Sequence, residues 1–560
     1  TAKVRGFQGA GRSGGLAAPD SVAATAKHFC AYRAALAGRD YASADVPERA
    51  LHEVYIPPFA AAIHAGCAAI MPAFNDVDGI PMTVHAALLR GFLREKLGFD
   101  GVMISDYNAI AELLRHGVAA DLTAAAAAAL RAGVDIDMMS GAYSEGLPKA
   151  LAQGLVTLDM VDAAVRRVLT LKERLGLFAR PFRRGAAAKA AAAPKERREL
   201  ARELARRAIV LLTNDGTLPL AADLRRLALA GPLADAPAEM LGPWAMAGHP
   251  EDAVSFREGL SRALPGAQIA YAPGVEIAGS DTSAIPQTLE LCRSADVIVL
   301  CLGEAAHMSG EAASRACPGL PGAQGVLAEA VLSLGKPVVV LLSSGRPLMV
   351  SPLIERANAV LATWFLGAEA GHAAAEVLTG RFNPAGRLPV TWPRDIGQVP
   401  VFFASRPTGR PADPNNPYSS KYLDMPVEPL FYFGHGLSFS RFTLSDLRVS
   451  KEVFWPGEEL IVEASVHNEG PAAGEETVFL FVRDLVASVA RPILELKGIA
   501  KVALEAGESG TVRFRLGASA FSFPGLGFEP VLEPGEFQIF AGQSADPRRL
   551  LSITVRAAAE

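Results

Sequence analysis

Four short apolar runs punctuate the first third of the chain: VAATAKHF (22–29), CAAIMPAF (67–74), GVMISDY (101–107) and GVDIDMMS (133–140). Between them lie the helical stretches ERALHEVYIPPFAAAIHAG, ALLRGFLREKLG and DLTAAAAAALRAG, each ending on glycine, a fitting C-terminal stop for a helix. Strands separated by a helix at a repeat of roughly 30 to 45 residues are βα units, because parallel strands need a long crossover and a helix supplies it. Four such units are legible, followed by a closing helix, TLDMVDAAVRRVLTLKERLGLF.

The pattern then changes twice. A stretch rich in Ala, Arg and Lys, RRGAAAKAAAAPKERREL, reads as a linker feeding a helix. Beyond it AIVLLTN, LRRLALAG, AQIAYAPG, DVIVLCLGE, PVVVLLSSG and NAVLATWFLG are apolar runs without polar alternation, with helices between several of them. Such strands suit an open sheet covered on both faces. After PLFYFGHGLSFSRF the period becomes two: LIVEASVHNEG, ETVFLFVRD, GTVRFRLGA and GEFQIFAGQ alternate apolar and polar residues between Gly, Pro and Asn turns. That spacing predicts an antiparallel β-sandwich of fibronectin type III or immunoglobulin-like form. The expected domains are a TIM-like part over 1–178, a linker over 179–205, an α/β sandwich over 206–435 and a β-sandwich over 436–560. A chain of 560 residues exceeds what one hydrophobic core supports, so several domains are expected on length alone.

Composition narrows the partners. The formal charge is -5, from 54 basic and 59 acidic residues, with no block of like charge long enough to track a phosphate backbone, so nucleic acid is not an expected partner. The apolar runs break before ten residues, too short to insert across a membrane. Cys30, Cys67, Cys292, Cys301 and Cys317 make an odd count, and the first four sit in apolar runs. They read as small core residues rather than as disulfides or a metal site. The chain opens at TAKVRGFQGAG without an initiator methionine or a charged-then-apolar leader, which leaves the compartment unread.

In parallel βα architectures functional groups gather at the carboxyl ends of the strands. Those ends carry Lys27 and His28, then Met71 with Phe74, then Asp106 and Tyr107, then Asp137, Met138 and Met139. A basic pair, apolar walls and a carboxylate around one mouth suit a polar but uncharged ligand. Asp106 has a simpler alternative as the N-cap of the helix AIAELLRHG, since Asp is a favoured cap.

The segments KHFCAY…GRDY, ERALHEVYIPPFAAAI, AIMPAFNDVDGIPMTVH, LREKLGFDGVMISDYNAI, GVDIDMMS, RRAIVLLTNDGTLPL and FNPAGRLPVTWP resemble glycoside hydrolase family 3, in the periplasmic-type β-glucosidase branch with a C-terminal fibronectin-like domain. The resemblance runs from about residue 3 to the C-terminus in the family's order. It implies a retaining exo-β-glycosidase, most of all a β-glucosidase, with β-xylosidase or an inactive carbohydrate-binding homologue as alternatives. By resemblance Asp106 is the nucleophile, Lys27 and His28 hold sugar hydroxyls, and Met71 and Phe74 line the same subsite. The acid/base is expected on a loop of the second domain, where DVIVLCLGEAAHMSGEAASR places Glu311, with Glu304 as its rival. Trp244 in LGPWAMAGH is an aromatic wall of the leaving-group subsite or a core residue. No cofactor or metal is implied.

The chemistry accounts for such a pair. Retention of configuration needs one carboxylate to attack the anomeric carbon and a second carboxyl, about 5 Å away, to protonate the leaving oxygen. One must be ionised and the other largely protonated, so they need unlike environments; separate domains supply these, with Lys27 and His28 favouring the ionised form of Asp106.

Departures from the family pattern also matter. Its barrels have eight βα units and four are recognisable here, so the fold expected is the C-terminal part of a (β/α)8 barrel with an exposed core edge. The N-terminal part would bring an aspartate for the outer hydroxyls and a nearby arginine. Tyr107 stands where tryptophan is usual, Arg33 stands where glycine is usual, and the acidic residue common before GRD is absent, which puts the loop's hydroxyl contacts, Arg39 among them, in question. The branch that uses a His/Asp loop after the Lys-His strand is set aside, because KHFCAYRAALAGRD lacks that loop. GPLADAPAEMLGPW has neither a P-loop nor the dinucleotide glycine spacing, which argues against nucleotide binding by the second domain. The β-sandwich is expected as scaffold or as the surface of a homodimer. The resemblance implies a periplasmic or secreted protein, with the cytoplasm left open.

Overall fold

The computed structural model describes residues 1–9, 15–182, 184 and 194–559, in two compact units, Thr1–Ala191 and Ala192–Glu560. Of the expected linker, residues 183 and 185–193 lie outside the described residues, and from Pro194 onward the chain is a helix, Pro194–Ala208.

In the first unit β1 (Thr25–Phe29), β2 (Ala69–Pro72) and β3 (Val102–Met103) form a parallel sheet in that order. Lys27 stands opposite Met71, and Ile70 opposite Met103. The strands are shorter than the apolar runs that contain them, and the fourth run is not a strand. Over 133–140 the only pairing is one parallel bridge, Ile136 to Ile104. The reason is local. Asp135 N and Ile136 N both donate to the Met103 carbonyl, at 2.8 and 3.1 Å, and Met138 N turns to the Ser105 hydroxyl at 2.8 Å, so the ladder has no regular continuation.

Helices cover this sheet with Leu89, Leu93, Ala125, Ala126 and Ala129 against Phe29, Ile70 and Met103. The helix Leu122–Ala132 is capped by Asp121, whose carboxylate accepts Ala124 N at 2.8 Å, and is closed by Gly133 at φ 104°, a conformation that costs glycine little. Asp135 ties two further helices to the strands. Its buried carboxylate accepts Arg94 Nη2 from helix Ala87–Lys96, Arg167 Nε from helix Leu158–Arg174 and Met103 N, each at 2.8 Å.

The second unit opens on a six-stranded sheet. Its strands are β4 (Val210–Asn214), β5 (Arg226–Ala230), β6 (Gln268–Ala272), β7 (Val297–Gly303), β8 (Val338–Ser343) and β9 (Ala359–Ala362). They lie in the order β4-β9-β8-β7-β5-β6, all parallel except β4, which runs antiparallel to β9. Successive side chains point to opposite faces, and both faces are apolar. Leu229, Val299, Cys301, Val339 and Leu341 meet helices Phe256–Ala263 and Ala370–Leu378 on one side. On the other, Ile298, Leu300, Val340 and Leu342 meet helices Ile285–Arg293 and Gln324–Leu332. Both faces are therefore covered, as unalternating strands require.

The β-sandwich follows. Strands β10 (Phe442–Val449), β11 (Leu460–Asn468) and β14 (Ser509–Leu516) make one antiparallel sheet. Strands β12 (Gly474–Asp484), β13 (Glu495–Leu504), β15 (Gly535–Gly542) and β16 (Leu551–Ala557) make the other, with Val453–Phe454 on its edge. Strand β12 is buried on both faces: Val478, Leu480 and Val482 enter the sandwich core, while Phe479 and Phe481 pack outward with Phe403 and Phe433. Arg387 Nη2 donates to the buried Glu476 carboxylate at 2.6 Å, joining the α/β layer to this strand.

The buried Cys30, Cys67, Cys292 and Cys301 are free thiols, and Cys317 is free and exposed. Among the described residues no helix is long and apolar enough to cross a membrane, and no group of three His, Cys, Asp or Glu side chains is placed to hold a metal ion.

Candidate active site

Asp106 leaves β3 just past the bridge residue Ile104 and is buried. Its Oδ1 accepts the Tyr107 amide at 2.8 Å. His28 Nε2, from β1, lies 3.2 Å from Oδ2, yet that oxygen accepts no hydrogen bond among the described residues. The short helix that follows, Ala109–Glu112, has Asn108 at its N-cap position and no side-chain cap. Asp106 is thus not the cap that its position in the sequence allowed.

Around it the first unit gathers an aromatic group. The His28 ring is 5.2 Å from Tyr32, Tyr32 is 6.3 Å from Tyr41, and Tyr41 meets Phe74 edge-on at 5.3 Å. Such T-shaped and tilted contacts fix ring orientation by a modest amount each. Met71 is buried beside Lys27 in the strand register, whereas Lys27 itself and Tyr107 are exposed, Tyr107 at 60%. Arg39 sits in the exposed stretch 36–39 of the loop between β1 and the helices that follow. Asp137 is occupied elsewhere: its Oδ1 accepts the Ser140 hydroxyl at 2.5 Å and its Oδ2 accepts Tyr143 N at 3.1 Å, at the start of helix Ala142–Ala152.

Tyr32 and Tyr41 were not among the residues expected here. Their only signal in CAYRAALAGRDY is aromatic character in the loop after a strand end, and that does not reveal which strand's Phe they meet.

In the second unit the two rival glutamates have different surroundings. Glu304, directly after β7, is fully buried. Its Oε1 accepts Arg315 Nη1 at 2.6 Å and its Oε2 accepts the Ser309 hydroxyl at 2.9 Å and Arg346 Nε at 3.3 Å. A carboxylate enclosed by two guanidinium groups and a hydroxyl is held as an ion pair and has no open face for a ligand. Glu311 is exposed, at a turn between Gly310 (φ 95°) and Ala312 (φ 58°). Trp244, 65% exposed, is adjacent: a Cβ on Gly310 would stand 3.1 Å from Pro243 Cβ and 3.5 Å from Trp244 Cζ2. Trp244 therefore stands beside the Glu311 turn and is not a core residue. Arg315 and Arg346 carried little signal in the sequence, although Arg346 follows β8, the strand paired with β7, and a strand-end reading brings those two ends together.

Comparison with known proteins agrees with this architecture. Residues 1–171 match the glycosyl hydrolase family 3 N-terminal domain, residues 209–439 the glycosyl hydrolase family 3 C-terminal domain, and residues 476–545 a fibronectin type III-like domain. A periplasmic β-glucosidase of Salmonella typhimurium is 37% identical, over 93% of this chain and 72% of its own length. A β-xylosidase of Formosa agariphila is 35% identical, over 99% of this chain and 78% of its own. A crystal structure of a mutant β-glucosidase from Listeria innocua in complex with laminaribiose superposes with a TM-score of 0.93 at 39% identity, over the whole of this chain and 77% of that one. With the parallel βα unit, the doubly covered α/β sheet and the β-sandwich matched in order, the chain belongs to glycoside hydrolase family 3.

Proposed function

We propose that this glycoside hydrolase is an exo-acting retaining β-glucosidase, which releases terminal non-reducing β-D-glucose from oligosaccharides or aryl glycosides by double displacement. The observation that carries this reading is Asp106: a buried carboxylate at a strand exit whose Oδ2 accepts no hydrogen bond among the described residues and lies 3.2 Å from His28 Nε2. In the first step Oδ2 bonds to the anomeric carbon as the glycosidic C–O bond breaks, and Glu311 gives its proton to the departing oxygen. In the second Glu311 takes a proton from water, which attacks the same carbon and frees Asp106. Lys27, His28, Met71, Phe74, Tyr107 and Arg39 are the sugar-binding residues in this reading, and Trp244 flanks the leaving group.

β-Xylosidase is the second reading, favoured by the Formosa agariphila relative, which matches 99% of this chain. The two differ in whether the subsite has room for a hydroxymethyl group. A periplasmic or secreted location follows the Salmonella typhimurium relative's name. The β-sandwich is read as scaffold or as the surface of a homodimer, and the scattered charges of the chain suit no nucleic-acid partner.

The deciding experiment treats the protein with 2,4-dinitrophenyl 2-deoxy-2-fluoro-β-glucoside and with the matching xyloside, then maps the labelled peptide. The fluorine slows breakdown of the glycosyl-enzyme, so the label should sit on Asp106 and form faster from the glucoside. Asp106→Asn should take no label and lose at least about a thousandfold in kcat. Label on another residue, or faster labelling by the xyloside, would replace the assignment.

A further inference from the structure

Glu304 is a buried carboxylate that the two-step reaction leaves without a part. Its partners all bear on one short segment. Ser309, which donates to Glu304 Oε2, also accepts Gly345 N at 3.2 Å. Arg346 reaches past Glu304 to donate from Nη2 to the carbonyls of Met308 and Ala313, the latter at 2.9 Å. Arg315 returns to Glu304 Oε1 at 2.6 Å, and Ala306 N donates to Glu239 at 2.5 Å. The segment is therefore fastened at 306, 308 and 309 before Glu311 and at 313 and 315 after it. Glu311 stands at the turn between the two sets of anchors.

The fastening is close-packed as well as charged. A Cβ on Gly345 would stand 2.5 Å from Ser309 Oγ, and one on Gly303 only 1.8 Å from the Ser343 carbonyl oxygen. Arg346 reads two carbonyls and a carboxylate through one planar fork, which a lysine ammonium does not reproduce. A buried ion pair of this kind is weak evidence for stability and better evidence for geometry.

We propose that Glu304, Arg315 and Arg346 form a positioning cluster that sets the place of the Glu311 carboxyl for proton transfer. The inference rests on the reading of Glu311 as acid/base. General-acid catalysis demands hydrogen-bond reach to the leaving oxygen, and a shift of an ångström in a catalytic group far outweighs the loss of one surface contact. The cluster acts only through Glu311, so its signature is a selective one: it should matter in proportion to how much protonation the leaving group needs.

The test uses the full chain with two β-glucosides, one leaving as 2,4-dinitrophenolate, which needs no proton, and one leaving as phenol, which does. For Arg315→Lys and Arg346→Lys, kcat/KM should fall at least about thirtyfold for the phenyl glucoside and stay within about threefold for the dinitrophenyl glucoside. Azide, a nucleophile that needs no general base, should raise kcat of the variants on the dinitrophenyl substrate and leave that of the parent unchanged. Glu304→Gln should give the same split; the two lysine variants keep the cationic charge and serve where the Gln variant does not fold. An equal fall on both substrates, or no fall on either, overturns the positioning role. Glu311→Ala separates the two layers of the argument. If it shows the split and the lysine variants do not, only the positioning cluster fails; if Glu311→Ala shows no split, the acid/base reading fails and the cluster with it.

Discussion

Gly303 shows how much one residue decides at the end of β7. Its φ of 142° lies outside the range that side chains adopt readily, and its peptide is gripped by Gln324, which accepts Gly303 N and donates to Gly303 O, both at 2.8 Å. Glu304 follows immediately, so the backbone here sets where the whole cluster begins. Gly303→Ala would drive a methyl group into the Ser343 carbonyl on the paired strand, and β7 would have to separate from β8. The expected cost is about 3 kcal/mol or more, read as a fall in thermal midpoint; a midpoint within a degree of the parent's would show that the strand end yields freely. At this scale the sequence was legible in part. Asp106 stood out because a buried-type run ended in a carboxylate, and Glu311 entered through a matched motif. Tyr41 and Arg346 did not, because Phe74 and Glu304 are distant in sequence and strand order brings them near; Tyr32 and Arg315 lie close in sequence to His28 and Glu304, but in loops whose course no periodicity records.

Among elements, the clearest departure from the sequence reading is the fourth apolar run of the first unit. GVDIDMMS has the composition of a buried strand, but composition does not record that Asp135 turns its carboxylate inward to Arg94, Arg167 and Met103 N. A charged group with three donors adds to the few backbone bonds, among them Asp135 N and Ile136 N to Met103 O and Ser105 N to Ile136 O, that link this segment to its neighbours. Burying it costs free energy that only full pairing offsets. Asp135→Ala takes the counter-charge from two partly buried guanidinium groups, of which Arg94 keeps the Phe99, Gly101 and Gly133 carbonyls, and the acceptor from one strand amide, at an expected cost of about 3 kcal/mol. Hydrogen exchange over residues 100–110 and 130–140 reports the local change, and unaltered protection in both segments would show that the ion cluster is not what holds them. The strands of the α/β sheet and the sandwich were legible because their burial follows period two or none at all, whereas this segment follows its ion pairs.

On the scale of the molecule, the segment around His435 stitches the α/β sheet to the sandwich. Leu437 N donates to Leu211 O in β4, Leu388 N donates to His435 O, and Ala545 N donates to Phe433 O, at 2.8 Å each. The imidazole stacks on Phe431 at 4.4 Å and shares a hydrogen at 2.8 Å with the Leu212 carbonyl, which requires Nε2 to be the protonated nitrogen. Burial is the main reason its pKa is pushed down to about 4; Arg387 and Arg549 add to the fall, while the Leu212 carbonyl and Asp546 oppose it. Unfolded histidine titrates near 6.5. Between those values the unfolded chain binds more protons, so stability from this group is complete above about 6.5 and is lost as pH falls toward 4, by about 3 kcal/mol at most. Asp484 works in the opposite sense. Burial raises its pKa to about 6 and its Oδ2 accepts no hydrogen bond among the described residues, so its folded form gains protons first and stability rises as pH falls from about 6 toward 3.8. The two slopes overlap and partly cancel in the parent protein, which makes the absolute pH profile uninformative about either. His435→Gln keeps an amide donor for Leu212 and removes the titration. The difference in thermal midpoint between parent and variant should therefore shift steadily in the variant's favour from pH 6.5 to 4.5 and be flat above pH 7. A difference that is constant across the range would mean that the imidazole takes up its proton in place, and that the junction between sheet and sandwich opens to solvent without unfolding.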